Sequence, residues 1–529
     1  MSVSAISISH IFFFKKYLPE LSVRRAPGPS RLGGSKLPNA KVSRETGGPK
    51  LPRAAAPGPS QAARRKKFFK FPLDLGMILG FMLFTEVITM TNSNKSYIKT
   101  KFFHYVMPSV AAMWVYTIYT MVDGIFVARG VGEDALAAVN LAMPVVNATF
   151  ALGILFAVGA STRASVCKGR GERSGADKVF TGSVIAVALV GLTVAAAILL
   201  FLDEVALFLG ATDETIDYVK QYLGIITAFI PFYMTSYNLE VLVKADGFPQ
   251  TAIKTCVAAA CCNIVLDALF VLVFHWGIAG AAIATGLSQL MSFSIYMKHF
   301  LSAKSEFSFV KINAGELKEA FCRTRFGVAD CMTELSVGIC IFVFNRVLLS
   351  ISGNDGVVIY TIISYFSQLV LMTMMGINQG TQPLISYYYG KEKTSFCRYI
   401  FKIALCCAGV CSLLAFAIGL IYPDPIVGVY IDNEASPQLF EQSVHAFRLY
   451  SPAFLPLGAV ITLMGYFTSI ELPKSAMSIS VGRGLIFTSV FVLIFSFFFG
   501  ETGVWTAAAA SEICALVLAL TLYDKKIRS

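Results

Sequence analysis

From residue 102 to residue 523, long apolar runs alternate with short polar stretches. A helix needs about 20 apolar residues to cross a bilayer. On that measure the pattern predicts twelve spanning helices, over 102–128, 136–166, 178–202, 218–245, 251–274, 279–302, 317–350, 357–388, 397–422, 443–469, 475–499 and 502–523. One shorter patch, LGMILGFMLF at 75–84, is bounded by Asp74 and Glu86 and is too short to span. The first run, FFHYVMPSVAAMWVYTIYTMVDGIFVA, carries Asp123 well inside it. An ionised carboxylate costs at least ~3 kcal/mol at the centre of a membrane helix. Asp123 is therefore expected to face protein or water and to handle an ion or a proton, rather than only to bond a neighbouring helix.

Composition agrees with the pattern. The 529 residues are 56% hydrophobic and 14% charged, with mean hydropathy +0.66. A soluble protein of this size carries far more polar surface. The net charge of +12 is concentrated at one end. Residues 1–70 hold fifteen Lys and Arg against Glu20 and Glu45, and the rest of the chain is close to neutral. The basic balance thus belongs to a tail and gives no reason to expect a nucleic-acid partner. Residues 1–94 read as a basic, Pro- and Gly-rich tail, with APGPS at 26–30 and again at 56–60. Such a segment buries too little apolar surface to offset its ordering entropy. Its opening is a poor signal peptide. Met90 begins a stretch that reads like an ordinary cytosolic start, so 1–89 are expected to be a dispensable upstream extension. The twelve cysteines lie mostly in apolar runs without a C-x-x-C pair and read as small buried hydrophobes.

The loops carry a charge code. Lys168, Arg170, Arg173 and Lys178 follow the second helix. Lys244 and Lys254 lie between the fourth and fifth, Lys298 to Arg325 between the sixth and seventh, and Lys391, Lys393 and Arg398 after the eighth. The alternate loops are acidic, with Glu133, Asp134, Asp203, Glu204, Asp213, Glu214, Asp217, Asp424, Asp432, Glu434 and Glu501. Basic loops mark the cytoplasmic side. Both ends of the twelve-helix unit are therefore expected inside.

The two halves repeat. Gly132, Gly159, Gly169, Phe180 and Pro231 recur 221 positions later as Gly353, Gly380, Gly390, Phe401 and Pro452. Gly277 and Gly280 recur 223 positions later as Gly500 and Gly503. Six helices return the chain to its starting side, so the repeat is parallel, about an axis along the membrane normal. The domains expected are an N-lobe over 95–303, a linker over 304–316 and a C-lobe over 317–529. Two such lobes would enclose a central cavity and rock about it.

Polar residues inside the spans supply the chemistry. Asn263 and Asp267 are four apart in CCNIVLDALF and share a helix face. The turn WGIAG folds the next helix back and brings Thr285 within about one turn, ~5 Å, of Asp267 in height. Asp123, Asn263, Asp267 and Thr285 offer only oxygen-bearing groups, which suit a hard cation such as sodium, or a proton. A hydrogen-bonded patch that merely fixes packing is the plainer alternative. In the second half, Asp330 and Glu334 are again four apart, with Asn345 deeper. Glu334 facing the cavity would attract a cationic substrate. Glu240 and Lys244 read as an ordinary ion pair near the cytosol. Arg483 and Glu512 receive no role.

Several stretches resemble the multidrug and toxic compound extrusion (MATE) family, in its bacterial multidrug branch. They are VDGIFVARGVGEDALAAVNLAMP, GATDETIDYVKQYL, KADGFPQTA, NIVLDALF and GIAGAAIAT in the first half. FNRVLL, GINQGTQPLISYYYG and SISVGRGLIF follow in the second. The resemblance covers about 95–523. It implies an all-α fold of two six-helix lobes, and drug export driven by sodium or proton re-entry. It assigns cation coupling to Asp123, Asn263, Asp267, Thr285 and Asn238, and a seventh-helix acid to Glu334. With Asp330, Asn345 and Gln382, Glu334 forms the expected substrate-binding set. The sequence departs from the family in lacking an acid inside the tenth helix, and in placing Lys244 where an Arg is usual.

The expected function is a monomeric antiporter of the bacterial inner membrane, with organic cations and membrane lipid as partners. No cofactor is expected beyond the coupling ion, sodium or a proton. A flippase for lipid-linked precursors would need a more cationic cavity, a membrane enzyme would need a metal or nucleophile constellation, and a channel would differ only in its flux kinetics.

Overall fold

The computed structural model describes residues 92–131, 133–213, 215–431, 433 and 436–528. The tail up to Thr91, Gly132 of the repeat, and Glu214, Asp432 and Glu434 of the acidic loops lie outside the described residues. Among the described residues there is no strand, and the helices make twelve spans in two lobes. The first lobe comprises Asn92–Gly130, Glu133–Arg170, Arg173–Leu200, the pair Ile216–Ala228 and Ile230–Asp246, Pro249–Asp267 with its extension Ala268–Val273, and Gly277–Phe300. The second comprises Val328–Ile351, Gly353–Gly390, Thr394–Ile421, the pair Pro437–Tyr450 and Phe454–Ser469, then Pro473–Val481 running through Gly482–Phe487 into Thr488–Arg528. The last stretch holds two spans, because Gly500 breaks it with φ +58°.

The repeated prolines explain two of the breaks. Pro231 is among the first residues of the second half of the fourth span, and Pro452 lies in the short 3₁₀ turn that interrupts the tenth. Each lacks an N–H for the helix ladder, so the helix restarts there. The fifth and eleventh spans share another irregularity, a π-helical stretch, over Ala268–Val273 and Gly482–Phe487. The predicted helix over 317–350 is in fact two elements. A separate helix, Ala314–Arg323, opens on an Asn313–Glu316 capping box and packs on the third span, and the seventh span starts only at Val328. Its turn at Thr324–Phe326 and Gly327 separates them. All twelve cysteines are free, but only Cys167, Cys331 and Cys397 are buried in the protein, and Cys261, Cys322 and Cys406 are exposed.

The lobes touch through the first, second, seventh and eighth spans. The repeated glycines are what let them meet. A Cβ on Gly169 would lie 2.1 Å from the Tyr387 carbonyl oxygen, and one on Gly390 would lie 2.2 Å from that of Val166. On Gly159 it would sit 2.5 Å from the Arg323 carbonyl, and on Gly380 2.7 Å from the Val106 Cα. Polar links cross the same seam. Arg163 pairs with Glu471 at 2.8 Å, and the Gln382 amide donates to Thr162 at 2.9 Å. Gly169 and Gly390 lie beside Lys168, Arg170, Lys391 and Lys393, so the tightest approach is at the basic end of the spans.

Gly390→Ala is expected to force the lobes apart and to lower stability by about 1–3 kcal/mol, the usual cost of overpacking. Gly409→Ala, at a helical site with nothing within 4 Å of the added Cβ, should be neutral or slightly stabilising. Thermal unfolding of the two variants in detergent checks the contrast.

Candidate functional site: a paired carboxylate beside an aromatic chamber

The first span packs along the fifth, and this sets the site. Asp123 enters from the first span and Asp267 from the last α-helical turn of the fifth, just before its π-helical stretch. Asp123 is 9% exposed and Asp267 is fully buried. The two carboxyl groups are close enough to act on each other's charge. The helix spacing puts Asn263 one turn from Asp267 on the same face, and its amide donates to the Thr285 hydroxyl of the sixth span at 3.5 Å. Asn263, Asp267 and Thr285 therefore meet as the spacing predicts, and Asp123 joins them. Asn238 is also buried, but its amide turns to the third span and donates to Ser183 at 3.3 Å.

The chemistry of this group is set by what it lacks. Oδ1 of Asp123, both carboxyl oxygens of Asp267 and the amide oxygens of Asn263 and Asn238 are buried with no donor to them. Buried acceptors are ordinarily paired. Two carboxylates at roughly 4 Å repel by about 4 kcal/mol at an effective dielectric of 20. A proton shared between them, or a small cation held by both, removes that repulsion and satisfies the orphaned oxygens. Among the described residues no cluster of three or more His, Cys, Asp or Glu is found. A cation here would rest on two carboxylates completed by amide and hydroxyl oxygens, a donor set that suits a hard ion.

One helical turn along the first span from Asp123, at Tyr119, begins a chamber whose lining does not include the carboxyl pair itself. Tyr116, Tyr119, Phe150, Tyr233 and Tyr237 form its aromatic wall, and Glu334, Met372, Met375 and Gln379 close it from the second lobe. Phe150 stacks between Tyr116 and Tyr233 at 6.1 and 5.9 Å. Glu334 faces the chamber with no basic side chain paired to it among the described residues. It also borders an adjoining cleft with Asn345. Asp330 and Gln382 stand elsewhere. Asp330 is buried inside the second lobe, where Asn378 donates to it at 3.4 Å. Gln382 is spent on the lobe seam, on Thr162.

Lys244 is the main departure from the sequence reading. Far from facing the cytosol, it is 1% exposed. Its ammonium donates to Glu240 at 3.0 Å and, across the seam, to Gln379 at 2.9 Å. The Gln379 amide in turn donates to the Tyr237 hydroxyl at 3.2 Å. Glu240 lines the chamber floor, so its charge is already neutralised by the protein. The i, i+4 spacing revealed the pair but not its burial, because the second partner lies 135 residues away.

The comparisons with known proteins follow this geometry. The family model MatE matches residues 108–269 and 331–497. Multidrug export protein MepA of Staphylococcus aureus (strain N315) is 26% identical over 429 residues, covering 79% of this chain and 92% of that protein. MepA of Staphylococcus haemolyticus is 24% identical over 430 residues, covering 80% and 93%. Among solved structures, the outward-facing conformation of a multidrug resistance MATE family transporter superposes with a TM-score of 0.76 at 22% identity, over 82% of this chain and 96% of that one. A MOP superfamily transporter from Pyrococcus furiosus gives 0.75 at 22%, with the same coverage. At these identities the solved structures show a shared fold.

Removing one partner of a buried ion pair strands the other. Lys244→Met is expected to cost about 3 kcal/mol of stability, the low end for a buried pair because Glu240 borders the chamber. Adding Glu240→Gln should recover most of that loss. A double-mutant cycle by thermal unfolding measures it.

Proposed function

This chain belongs to the MatE family, whose members are multidrug transporters of the membrane and not enzymes, and we propose that it exports organic cations in exchange for sodium or protons. The observation that carries the proposal is the facing pair, Asp123 and Asp267, buried with orphaned oxygens beside the chamber. An exchangeable cation or proton is the ligand this pair is built to hold and release.

The chamber supplies the other half of the exchange. An aromatic wall favours a flat, apolar cation through its π faces. Glu334 is the unneutralised acid there, so a net positive charge is drawn in and an anionic lipid precursor is repelled. This favours drug export over a flippase. Asn345 contributes from the adjoining cleft, while Asp330 and Gln382 act in packing and in the lobe seam. The Lys and Arg excess supports a cytosolic position for both ends of the spanning unit, in which case the glycine-backed lobe contact would be the cytoplasmic gate.

Coupling requires that ion and drug favour different states, since a ligand with equal affinity for both shifts nothing. Entry of the ion between Asp123 and Asp267 draws the first span against the fifth. The first span also carries Tyr116 and Tyr119 of the chamber wall, so the same movement reshapes the drug site. Cation loading at the pair and drug occupancy thereby oppose one another.

The test is ethidium efflux in inverted membrane vesicles, with a sodium or a pH gradient imposed alone. One gradient should drive transport, and Asp123→Asn and Asp267→Asn should each abolish the gradient-driven component. Undiminished gradient-driven efflux in both variants would refute the mechanism.

A further inference from the structure

The second lobe contains a cavity of its own, lined by the seventh, eighth, tenth, eleventh and twelfth spans. The repeat identifies it. Ala112, Tyr116, Tyr119, Phe150 and Tyr233 of the first-lobe chamber recur 221 positions later as Thr333, Val337, Cys340, Leu371 and Phe454. Every one of these lines the second cavity. It is therefore the duplicated counterpart of the drug chamber, not a packing defect.

The two copies differ in charge. Pro249 opens the fifth span as Pro473 opens the eleventh, 224 positions on. At that offset Ala259 becomes Arg483, and at the 223 of the last hairpin Gln289 becomes Glu512. All four line their respective cavities. Arg483 Nε donates to Glu512 Oε1 at 2.7 Å, with the side chains 15% and 12% exposed. Glu512 Oε2 is buried and has no donor. Around the pair, Phe344 stacks on Tyr360 at 4.5 Å and 2°, and Tyr450 and Ser367 add polar edges. Tyr360, Ser364 and Ile341 are shared with the cleft that holds Glu334, which gives the cavity a route to the lobe interface.

We propose that this cavity is a second ligand site, specific for aromatic zwitterions that carry a carboxylate and an ammonium group. Charge balance selects the ligand. A lone cation on Glu512 would strand the guanidinium, and a lone anion on Arg483 would strand the carboxylate, each at the cost of an unpaired charge out of water. A zwitterion replaces both partners at once. Its carboxylate takes the guanidinium fork, its ammonium donates to Glu512, and its ring joins the Phe344–Tyr360 stack.

The test uses three fluorescent probes of one shape on the full-length protein in detergent: Nε-dansyl-lysine, a zwitterion; its methyl ester, a cation; and its Nα-acetyl derivative, an anion. The zwitterion should bind, and Arg483→Gln or Glu512→Gln should weaken it at least tenfold. Ester binding, which belongs to the first-lobe chamber, should change less than twofold and reports that the variants are folded. Ser367→Phe fills the cavity without touching the ion pair, so it serves where the charge variants do not fold, and it should abolish zwitterion binding alone. The proposal is overturned if wild-type protein does not bind the zwitterion. It is equally overturned if it binds all three probes alike, or if the folded variants bind the zwitterion as wild type does.

Discussion

Two neighbouring carboxyl groups buried from solvent cannot both stay charged on their own. That constraint governs the first lobe. Asp123 and Asp267 come from different spans, so whatever positive charge joins them also joins the helices. The stretch after Asp267 is π-helical, a rare geometry that recurs at functional sites. The pair is costly to bury, and a proton or a small cation shared between the two groups would lower that cost. A merely structural patch would have satisfied these oxygens with fixed donors, as Asn263 does for Thr285.

Duplication sets the rest. The same glycines occur in both halves because each lobe presents a flat strip to the other. The seam is closed by contacts that side chains would prevent, reinforced by Arg163–Glu471 and by Lys244 reaching Gln379. Such a contact can form and part as a unit, which suits a gate. Duplication also created two cavities from one plan. Both are lined by tyrosines, but the second also holds an internal ion pair, Arg483–Glu512, so the two differ in charge while sharing an architecture.

Much of this was legible in the chain. Apolar length alone located the twelve spans, and a near-constant offset revealed the lobes. The cost of an acid in an apolar run pointed to Asp123, and i, i+4 spacing joined Asn263 to Asp267. What escaped was anything decided by a distant partner. Lys244 reads as half of an ordinary ion pair near the cytosol until Gln379 is seen to cover it. Arg483 and Glu512 are separate oddities until the eleventh and twelfth spans bring them to 2.7 Å. Asp330 and Glu334 share a spacing but not a destination, one closed in by Asn378 and one open to the chamber. The break at Thr324–Phe326 was hidden because helix-forming residues continue on both sides of it, from the amphipathic stretch Ala314–Arg323 into the apolar seventh span.

The central claim is that the facing carboxyls exchange one positive charge. Infrared difference spectroscopy on the purified protein reads this without transport, by following carboxyl bands as sodium is added or pH is changed. The account predicts a carboxyl signal that responds to one of these ions and disappears in Asp267→Asn. A spectrum in which no carboxyl band responds to either ion, or in which the response survives that substitution unchanged, would contradict it.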